Sequence, residues 1–353
     1  GIEGIKYMLS SSIDSMLGVY VMLPSCVPST ALETSGATLS SHDLSLLLND
    51  ERILGIAEVM NYPGVIHKDT DLLKKIAIAN GKIIDGHAPF LSGKQLYAYV
   101  SSGIRSDHEC SEIEEAREKL RAGMYVMIRE GTAAKNLKSL IGLVNVSNSR
   151  KFIFVTDDRH LDDIENEGHI NYLVKKAIEY GVDPVKAIQM ATINTAEYFG
   201  LKNLGAILPG YFADFIIFDN FKRMNIKMVF KNGIMVSKDG KVFDGIIKEY
   251  KEKLRGTINV KWIEHEDFAL KAEGKKARVI NVIPNEIITK MSVEEVKVDG
   301  GYVSSDTEKD ILKIAVIERH MASGRIAKGL VRGFKLKKGA IASSISHDSH
   351  NIV

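Results

Sequence analysis

The chain has 353 residues, with 47 Lys and Arg against 45 Asp and Glu, a formal net charge of +2 and two cysteines. The balanced charge excludes a nucleic-acid binder that depends on a global positive field, and two cysteines exclude a disulfide framework. No apolar run reaches about 18 residues, so we expect no membrane-spanning helix. Composition therefore predicts a soluble, cytoplasmic α/β protein of about two domains.

Short apolar runs alternate with polar, helix-like stretches along the first 200 residues, a pattern typical of βαβ units. The predicted strands cover 18–23, 53–59, 82–86, 103–106, 124–128 and 152–155. The predicted helices cover 39–50, 112–122 and, after the start signal Asp183-Pro184, 185–200. Because no GxGxxG or Walker-type glycine loop is present, a (β/α)₈-type barrel is favoured over an open doubly wound sheet.

The hydrophobic pattern changes twice after the barrel-like part of the chain. We expect the barrel to cover residues 1–200 and a small β module to cover 201–250, with hairpin turns at Asn232-Gly233 and Asp239-Gly240. A lysine-rich helix at 246–255 is interpreted as a linker. Residues 251–353 are then predicted to form a C-terminal α+β domain.

Ionisable side chains stand at or just after the ends of the predicted strands. Glu58, His87, His108 and Asp157 occupy four of these positions. The carboxyl ends of barrel strands meet on one face, so these side chains are expected to converge. Carboxylates and imidazoles together suit a Zn, Mn or Fe site. The alternatives are an edge-strand glutamate and structural histidines.

Three further residues are candidates for the substrate. Asp158 follows Asp157 directly, and the pair suits metal binding, substrate binding or proton transfer; alternatively Asp158 caps the next helix or pairs with Arg159. Ser25 and Glu33 follow the first strand and could line a substrate pocket, or could simply shape turns.

A dense polar cluster lies near the end of the chain, at His347-Asp348-Ser349-His350. A metal or substrate role is one interpretation of this cluster. The other is a hydrogen-bonded corner of the C-terminal domain.

Long phrases of the sequence resemble the amidohydrolase superfamily and, within it, the adenine deaminase family. They include PSCVPSTALETSGA at 24–37, DGHAPFLSGKQLYAYVSSGIRSDHEC at 85–110, TDDRHLDDIENEGHI at 156–170, ERHMASGRIAKGLVRGF at 318–334 and GAIASSISHDSHNIV at 339–353. The resemblance covers essentially the whole chain.

The resemblance implies a metal-dependent barrel with a binuclear divalent centre of Mn, Fe or Zn. Glu58 would bridge the two metals, His87 and His108 would bind the second, and Asp157 would bind the first and handle protons. Glu58, His108 and Asp157 would be catalytic, and Asp158 would contact N7 of the purine, with Glu33 and Ser25 in the substrate pocket. The implied reaction is hydrolysis of adenine to hypoxanthine and ammonia, in purine salvage, by a homo-oligomer without nucleic-acid or membrane partners.

The sequence departs from the superfamily in one respect. None of its ten histidines forms the HxH pair expected at the end of the first barrel strand. Together with the start at Gly1 and the strand-like end at Asn351-Ile352-Val353, this predicts a fragment that holds barrel strands from about the second or third to the eighth and a truncated C-terminal domain.

Two rival functions stay open. A cyclic-amide hydrolase of the same superfamily usually carries a carboxylated lysine where Glu58 stands. The other rival is a catalytically inactive fragment or interaction protein.

Overall fold

The computed structural model describes residues 1–79, 81–243, 256–284, 288–345 and 348–353. The chain divides into two compact units. The first, here the N-terminal unit, comprises Ile2–Cys26 and Leu39–Glu252. The second, the C-terminal unit, comprises Gly1, Val27–Thr38 and Lys253–Val353.

The N-terminal unit is built on six short parallel strands. They are β1 (Val21–Pro24), β2 (Ile53–Val59), β3 (Ile83–Gly86), β4 (Ser106–Asp107), β5 (Tyr125–Arg129) and β6 (Phe152–Val155). The strands pair in sequence order within two sheets, β1-β2-β3 and β4-β5-β6. The sheets meet where the N–H of Arg105 donates to the carbonyl of Ile84 at 3.2 Å. The parallel α/β architecture is confirmed, but the described strands form no closed barrel.

One helix precedes these strands, and the others connect or follow them. The helices are α1 (Ile2–Ser11), α2 (Ser41–Ser45), α3 (Tyr62–Ile66), α4 (Thr70–Ile78), α5 (Gly93–Ser101), α6 (Ile113–Arg121), α7 (Leu137–Leu140), α8 (Leu161–Asn166), α9 (Ile170–Glu179), α10 (Pro184–Ala191) and α11 (Ile193–Tyr198). Short 3₁₀ helices lie at Ile141–Leu143 and Ser149–Lys151. The apolar faces of α9 and α10 pack on β5 and β6 and form a continuous core, to which Leu173, Ala187, Met190, Ile128 and Phe152 belong.

Three elements differ from their predicted bounds. The first strand begins at Val21 rather than residue 18, the helix predicted at 39–50 is only Ser41–Ser45, and the predicted strand at 103–106 is the two-residue β4. Each difference falls at an element end, where local pattern is least informative.

The helix predicted at 185–200 is in fact two helices, because the backbone breaks at Thr192 with φ −130° and ψ −93°. The Thr192 hydroxyl donates to the carbonyl of Ile188 at 2.7 Å, a local bond that competes with helical pairing. The predicted start is confirmed, since Asp183 accepts from the N–H groups of Val185 and Lys186.

A small antiparallel sheet follows. Its strands are β7 (Phe215–Phe218), β8 (Ile226–Lys231), β9 (Ile234–Lys238) and β10 (Lys241–Val242), and they lie in the order β10-β9-β8-β7. Both predicted hairpin turns are confirmed: Asn232 and Gly233 have φ of 50° and 78°, and Asp239 and Gly240 have φ of 47° and 78°. The helix predicted at 246–255 lies outside the described residues.

The C-terminal unit is mostly β structure. Its strands are β11 (Lys276–Val282), β12 (Thr289–Glu295), β13 (Lys297–Asp299), β14 (Tyr302–Ser304), β15 (Leu312–Ile317) and β16 (Ile326–Arg332). They form a four-stranded sheet, β12-β11-β16-β15, and the hairpin β13-β14. Between residues 256 and 353 the described positions contain one 3₁₀ helix, His265–Phe268, and no α-helix. The α+β expectation for this part is therefore wrong where the structure describes it.

No helix of the described ranges has the length and apolar character needed to cross a membrane.

Candidate metal centre

Three side chains from consecutive parallel strands converge on one point. Glu58 lies near the end of β2, while His87 and His108 directly follow β3 and β4. The Oε2 atom of Glu58 lies 3.0 Å from Nδ1 of His87 and 3.0 Å from Nε2 of His108. The two imidazole rings meet edge to face, with centroids 5.2 Å apart. The parallel arrangement that brings strand ends to one edge thus assembles one carboxylate and two imidazoles.

The electrostatics of this cluster favour the charged forms of Glu58 and His108. Burial alone would raise the pKa of Glu58, but the hydrogen bonds and charges of His108 and His87 hold it well below its usual range. Burial alone would lower the pKa of His108, but the bond to Glu58 and the nearby carboxylates raise it to about 9. A cation bound among these groups would replace the positive charge that protonated His108 places beside Glu58.

The three residues fit a divalent cation. One ligand atom from each lies within 4.8 Å of the others, and a carboxylate oxygen with two imidazole nitrogens is a donor set that Zn, Mn and Fe accept.

Asp157 does not join these three residues within that distance. It follows β6 with a left-handed φ of 50°, which Asp tolerates better than most residues. Its Oδ2 atom lies 3.8 Å from Nη1 of Arg129. Its roles as a metal ligand and proton carrier therefore stay predictions.

Glu109 and Arg129 are part of the cluster but were given no role from the sequence. The Oε1 atom of Glu109 lies 3.5 Å from Nε2 of His108 and 3.8 Å from Nδ1 of His87. The same oxygen pairs with Nη1 of Arg129, whose pKa rises because that bond outweighs burial. The sequence offered one signal for both residues, which is that they stand at or near the ends of strands.

Asp158 supports a loop. Its carboxylate accepts from the backbone N–H groups of Thr132 at 3.1 Å and Ala133 at 2.9 Å, with Ala134 at 3.4 Å. The loop backbone is so close that a Cβ on Gly131 would lie 1.6 Å from Oδ1 of Asp158. The structure shows neither the helix cap nor the Arg159 pair considered as alternatives, and the contact with purine N7 stays a prediction.

Ser25 holds the backbone of the cluster. It is almost fully buried, at 2% exposure, and its hydroxyl donates to the carbonyl of Glu58 at 2.7 Å. This bond links the end of β1 to the end of β2. A contact between Ser25 and substrate stays a prediction.

Glu33 belongs to the C-terminal unit. Its carboxylate accepts from the Ser29 hydroxyl at 2.5 Å and from the Ser349 hydroxyl. Asn351 adds a bond from Nδ2 to the carbonyl of Thr34 at 3.1 Å. Glu33 as a substrate ligand stays a prediction.

The polar end of the chain is only partly described, because His347 lies outside the described residues. Ser349 and Asn351 are buried and make the bonds just given. The carbonyl of Ser349 also lies 2.7 Å from Nε2 of His320. These contacts are those of a hydrogen-bonded structural corner, one of the two interpretations drawn from the sequence.

Asp107, Cys110 and Glu115 form a second group of possible ligands. The positive charge of a lysine already lies between two of them. Nζ of Lys119 lies 3.1 Å from Asp107 and 2.8 Å from Glu115. An ammonium in this position leaves no reason to place a metal there.

Two family profiles match the chain. The profile described as "Amidohydrolase family" matches residues 1–236, and that described as "Adenine deaminase C-terminal domain" matches residues 286–353.

Curated relatives match over the full chain. "Adenine deaminase 2" of Carboxydothermus hydrogenoformans is 49% identical over 354 residues, and "Adenine deaminase" of Thermosipho africanus is 48% identical over 359 residues. Each match covers 100% of this chain and 62% of the relative. The chain therefore spans less than two thirds of the length of these relatives.

Solved structures show weaker similarity. β-Aspartyl dipeptidase of Fervidobacterium islandicum aligns with a TM-score of 0.45 at 18% identity, covering 61% of this chain and 63% of that one. N-acetyl-D-glucosamine-6-phosphate deacetylase of Mycobacterium smegmatis aligns with a TM-score of 0.45 at 13% identity, covering 57% and 60%.

Proposed function

The chain belongs to the amidohydrolase family, and on that premise we propose that it takes part in the hydrolytic deamination of adenine to hypoxanthine and ammonia. The observation that carries the proposal is the contact of one Glu58 oxygen with both His87 and His108 at 3.0 Å. The full-length relatives named above are adenine deaminases, which supports adenine as the substrate.

Glu58, His87 and His108 would hold a divalent cation, and a binuclear centre of Mn, Fe or Zn with Asp157 as a further ligand is part of the proposal. Such a cation lowers the pKa of a water molecule, which supplies a nucleophile near neutral pH.

The chain's own groups would handle the protons of the reaction. Replacing the 6-amino group by oxygen requires that water loses protons and that the amine leaves as ammonia. The attacking water gives up two protons, of which one ends on N1 of the purine and the other leaves with the amine as ammonia. Asp157, which lies 3.8 Å from Arg129, is proposed to accept these protons and to pass them first to N1 and then to the departing amine.

Asp158, Glu33 and Ser25 are proposed substrate contacts, with N7 of the purine assigned to Asp158. A cytoplasmic homo-oligomer in purine salvage, with adenine and water as its substrates, is the proposed setting.

The proposal is tested with Glu58→Gln, which keeps the size of the side chain and removes its charge. We expect the parent chain to bind Zn²⁺ or Mn²⁺ and to release ammonia from adenine, and the variant to lose both properties. Glu51→Gln is the matched control, since Glu51 is exposed just before β2 and is expected to behave as the parent. If Glu58→Gln binds Zn²⁺ as tightly as the parent chain does, the proposed metal centre is refuted.

The same experiment separates the rival functions. If the parent chain binds metal through Glu58 and opens dihydropyrimidine rings but releases no ammonia from adenine, its proposed function becomes cyclic-amide hydrolysis and not deamination. Metal binding with neither reaction would favour the inactive interaction protein.

A further inference from the structure

A buried ion pair lies behind the two histidines. The side chains of Asp107 and Lys119 are both fully buried, and Nζ of Lys119 lies 3.1 Å from Oδ2 of Asp107. Asp107 ends β4, directly before His108, whereas Lys119 lies on α6. Burial alone would lower the pKa of Lys119, but the charge of Asp107 and the bond to Glu115 raise it.

The pair holds the backbone next to His87. Oδ1 of Asp107 accepts from the N–H of Ala88 at 2.8 Å, and Nζ of Lys119 donates to the carbonyl of the same residue at 2.6 Å. Both polar backbone groups of Ala88 are therefore bound by the two members of one ion pair. These bonds tie the residue that follows His87 to Asp107 at the end of β4 and to Lys119 on α6.

The pair also holds the backbone next to His108. Oδ2 of Asp107 accepts from the N–H groups of Glu109 at 3.0 Å and Cys110 at 2.9 Å. The carboxylate thus fixes the turn that carries His108, while its other oxygen fixes the loop that carries His87. One charged group spans the two loops whose side chains meet at Glu58.

We propose that Asp107 and Lys119 are positioning residues that set the separation of His87 and His108 for the divalent cation. The inference rests on the proposed metal centre and names the groups that prepare its geometry. Neither residue is one of the three proposed ligands, and both reach the loops that carry the histidines through backbone hydrogen bonds.

A contribution to stability alone is the competing explanation. Replacing a buried ion pair by apolar groups often leaves stability unchanged or improved, whereas removing one partner leaves an uncompensated charge. The hydrogen bonds of this pair end on residues that neighbour both histidines. Positioning therefore predicts a loss of metal affinity that persists when stability is restored.

The test compares Lys119→Met, Asp107→Asn and the double variant, each in the full chain. The measurements are Zn²⁺ affinity by competition with a chelator and unfolding by urea. Groups that orient metal ligands typically change affinity about 10- to 100-fold when mutated, and we expect losses in that range for all three variants. The double variant should recover stability relative to Lys119→Met, but not affinity, because an amide offers one oxygen where the carboxylate offers two.

Lys75→Met is the matched control, since Lys75 is also buried on a helix and pairs with an acidic residue, Asp71, at 2.8 Å. It should keep the parent's Zn²⁺ affinity. Parent-like affinity in Lys119→Met, or affinity that returns together with stability in the double variant, would overturn the inference. A parent chain whose Zn²⁺ binding does not depend on Glu58 would instead refute the metal centre itself, so the two failures are distinguishable.

Discussion

The hydroxyl of Tyr99 accepts a hydrogen bond from the backbone N–H of His87 at 2.9 Å. It donates in turn to the carbonyl of Val59 at 2.7 Å, and the side chain is fully buried. One phenol on α5 therefore joins the residue after Glu58 to the backbone of His87.

Tyr99→Phe removes both bonds while keeping the ring. We expect the free energy of unfolding to fall by about 1–3 kcal/mol, because a buried N–H and a buried carbonyl lose their partner. Urea unfolding at pH 7 measures the change. Tyr97→Phe, on an exposed side chain two residues earlier, is the control and should unfold as the parent does. Equal midpoints for the two variants would contradict the expectation.

Cation binding should depend on pH through His108. Its pKa is raised to about 9 in the metal-free protein, so below that pH a cation must displace a proton. We expect Zn²⁺ affinity, measured with a chelator buffer, to rise about tenfold per pH unit from pH 7 towards 9 and then to level off. An affinity independent of pH over this range would show that His108 is not a ligand.

The stability of the metal-free protein should change in the opposite direction. A histidine whose pKa is raised on folding stabilises the fold below its unfolded value of 6.5, and this contribution disappears as the pH rises through about 9. The loss is at most about 3 kcal/mol. Thermal unfolding between pH 6 and 10 measures it, and His108→Gln should remove this dependence.

Glu318 should make the loop between β15 and β16 sensitive to acid. Its carboxylate accepts from the backbone N–H groups of His320, Met321 and Ser323. Burial alone would raise the pKa of Glu318, but the bonds from Ser323 and the other N–H groups lower it to about 2.

The stabilisation from Glu318 is present above the unfolded pKa of about 4.5 and is lost as the pH falls through about 2. It amounts to about 3 kcal/mol at most. Glu318→Gln should mimic the acid state at pH 7 and speed hydrogen exchange of the loop amides, measured by mass spectrometry. Glu308→Gln, at an exposed position, is the control. Unchanged exchange in Glu318→Gln would contradict the assignment.

Asp158→Ala should loosen the loop that contains Thr132 and Ala133. Three N–H groups lose their acceptor, so we expect a cost of about 1–3 kcal/mol and faster exchange of these amides. Asp162→Ala, on an exposed side chain of α8, should leave the loop unchanged. If Asp158 instead serves the purine, the variant should weaken adenine binding while loop exchange stays at the parent's rate.

The features that depend on hydrophobic periodicity and on the parallel order of the strands could be predicted from the sequence. The strands β2, β3 and β6 lie close to their predicted positions because both-face-buried strands are short apolar runs. The approach of Glu58, His87 and His108 follows from the same argument, since parallel strand ends share one edge.

The remaining features depend on tertiary contacts. Lys119 lies on a helix rich in charged residues, and nothing in its spacing distinguishes a fully buried lysine from an exposed one. Ser25 bonds a carbonyl 33 residues away. The helix breaks at Thr192, whose hydroxyl bonds to the carbonyl of Ile188, and the helical period of the sequence does not reveal this break.

The bond between Glu33 and Ser349 connects positions that are 316 residues apart, within a unit assembled from separate stretches of the chain. Val27–Thr38 belongs to the C-terminal unit although the residues on both sides of it belong to the other. No single cut can therefore separate the two units. A truncation after Glu252 would leave Glu33 without Ser349, so we expect proteases to attack Val27–Thr38 in the shortened chain. Exchanging only the C-terminal part for that of another protein would likewise separate Val27–Thr38 from the rest of its unit.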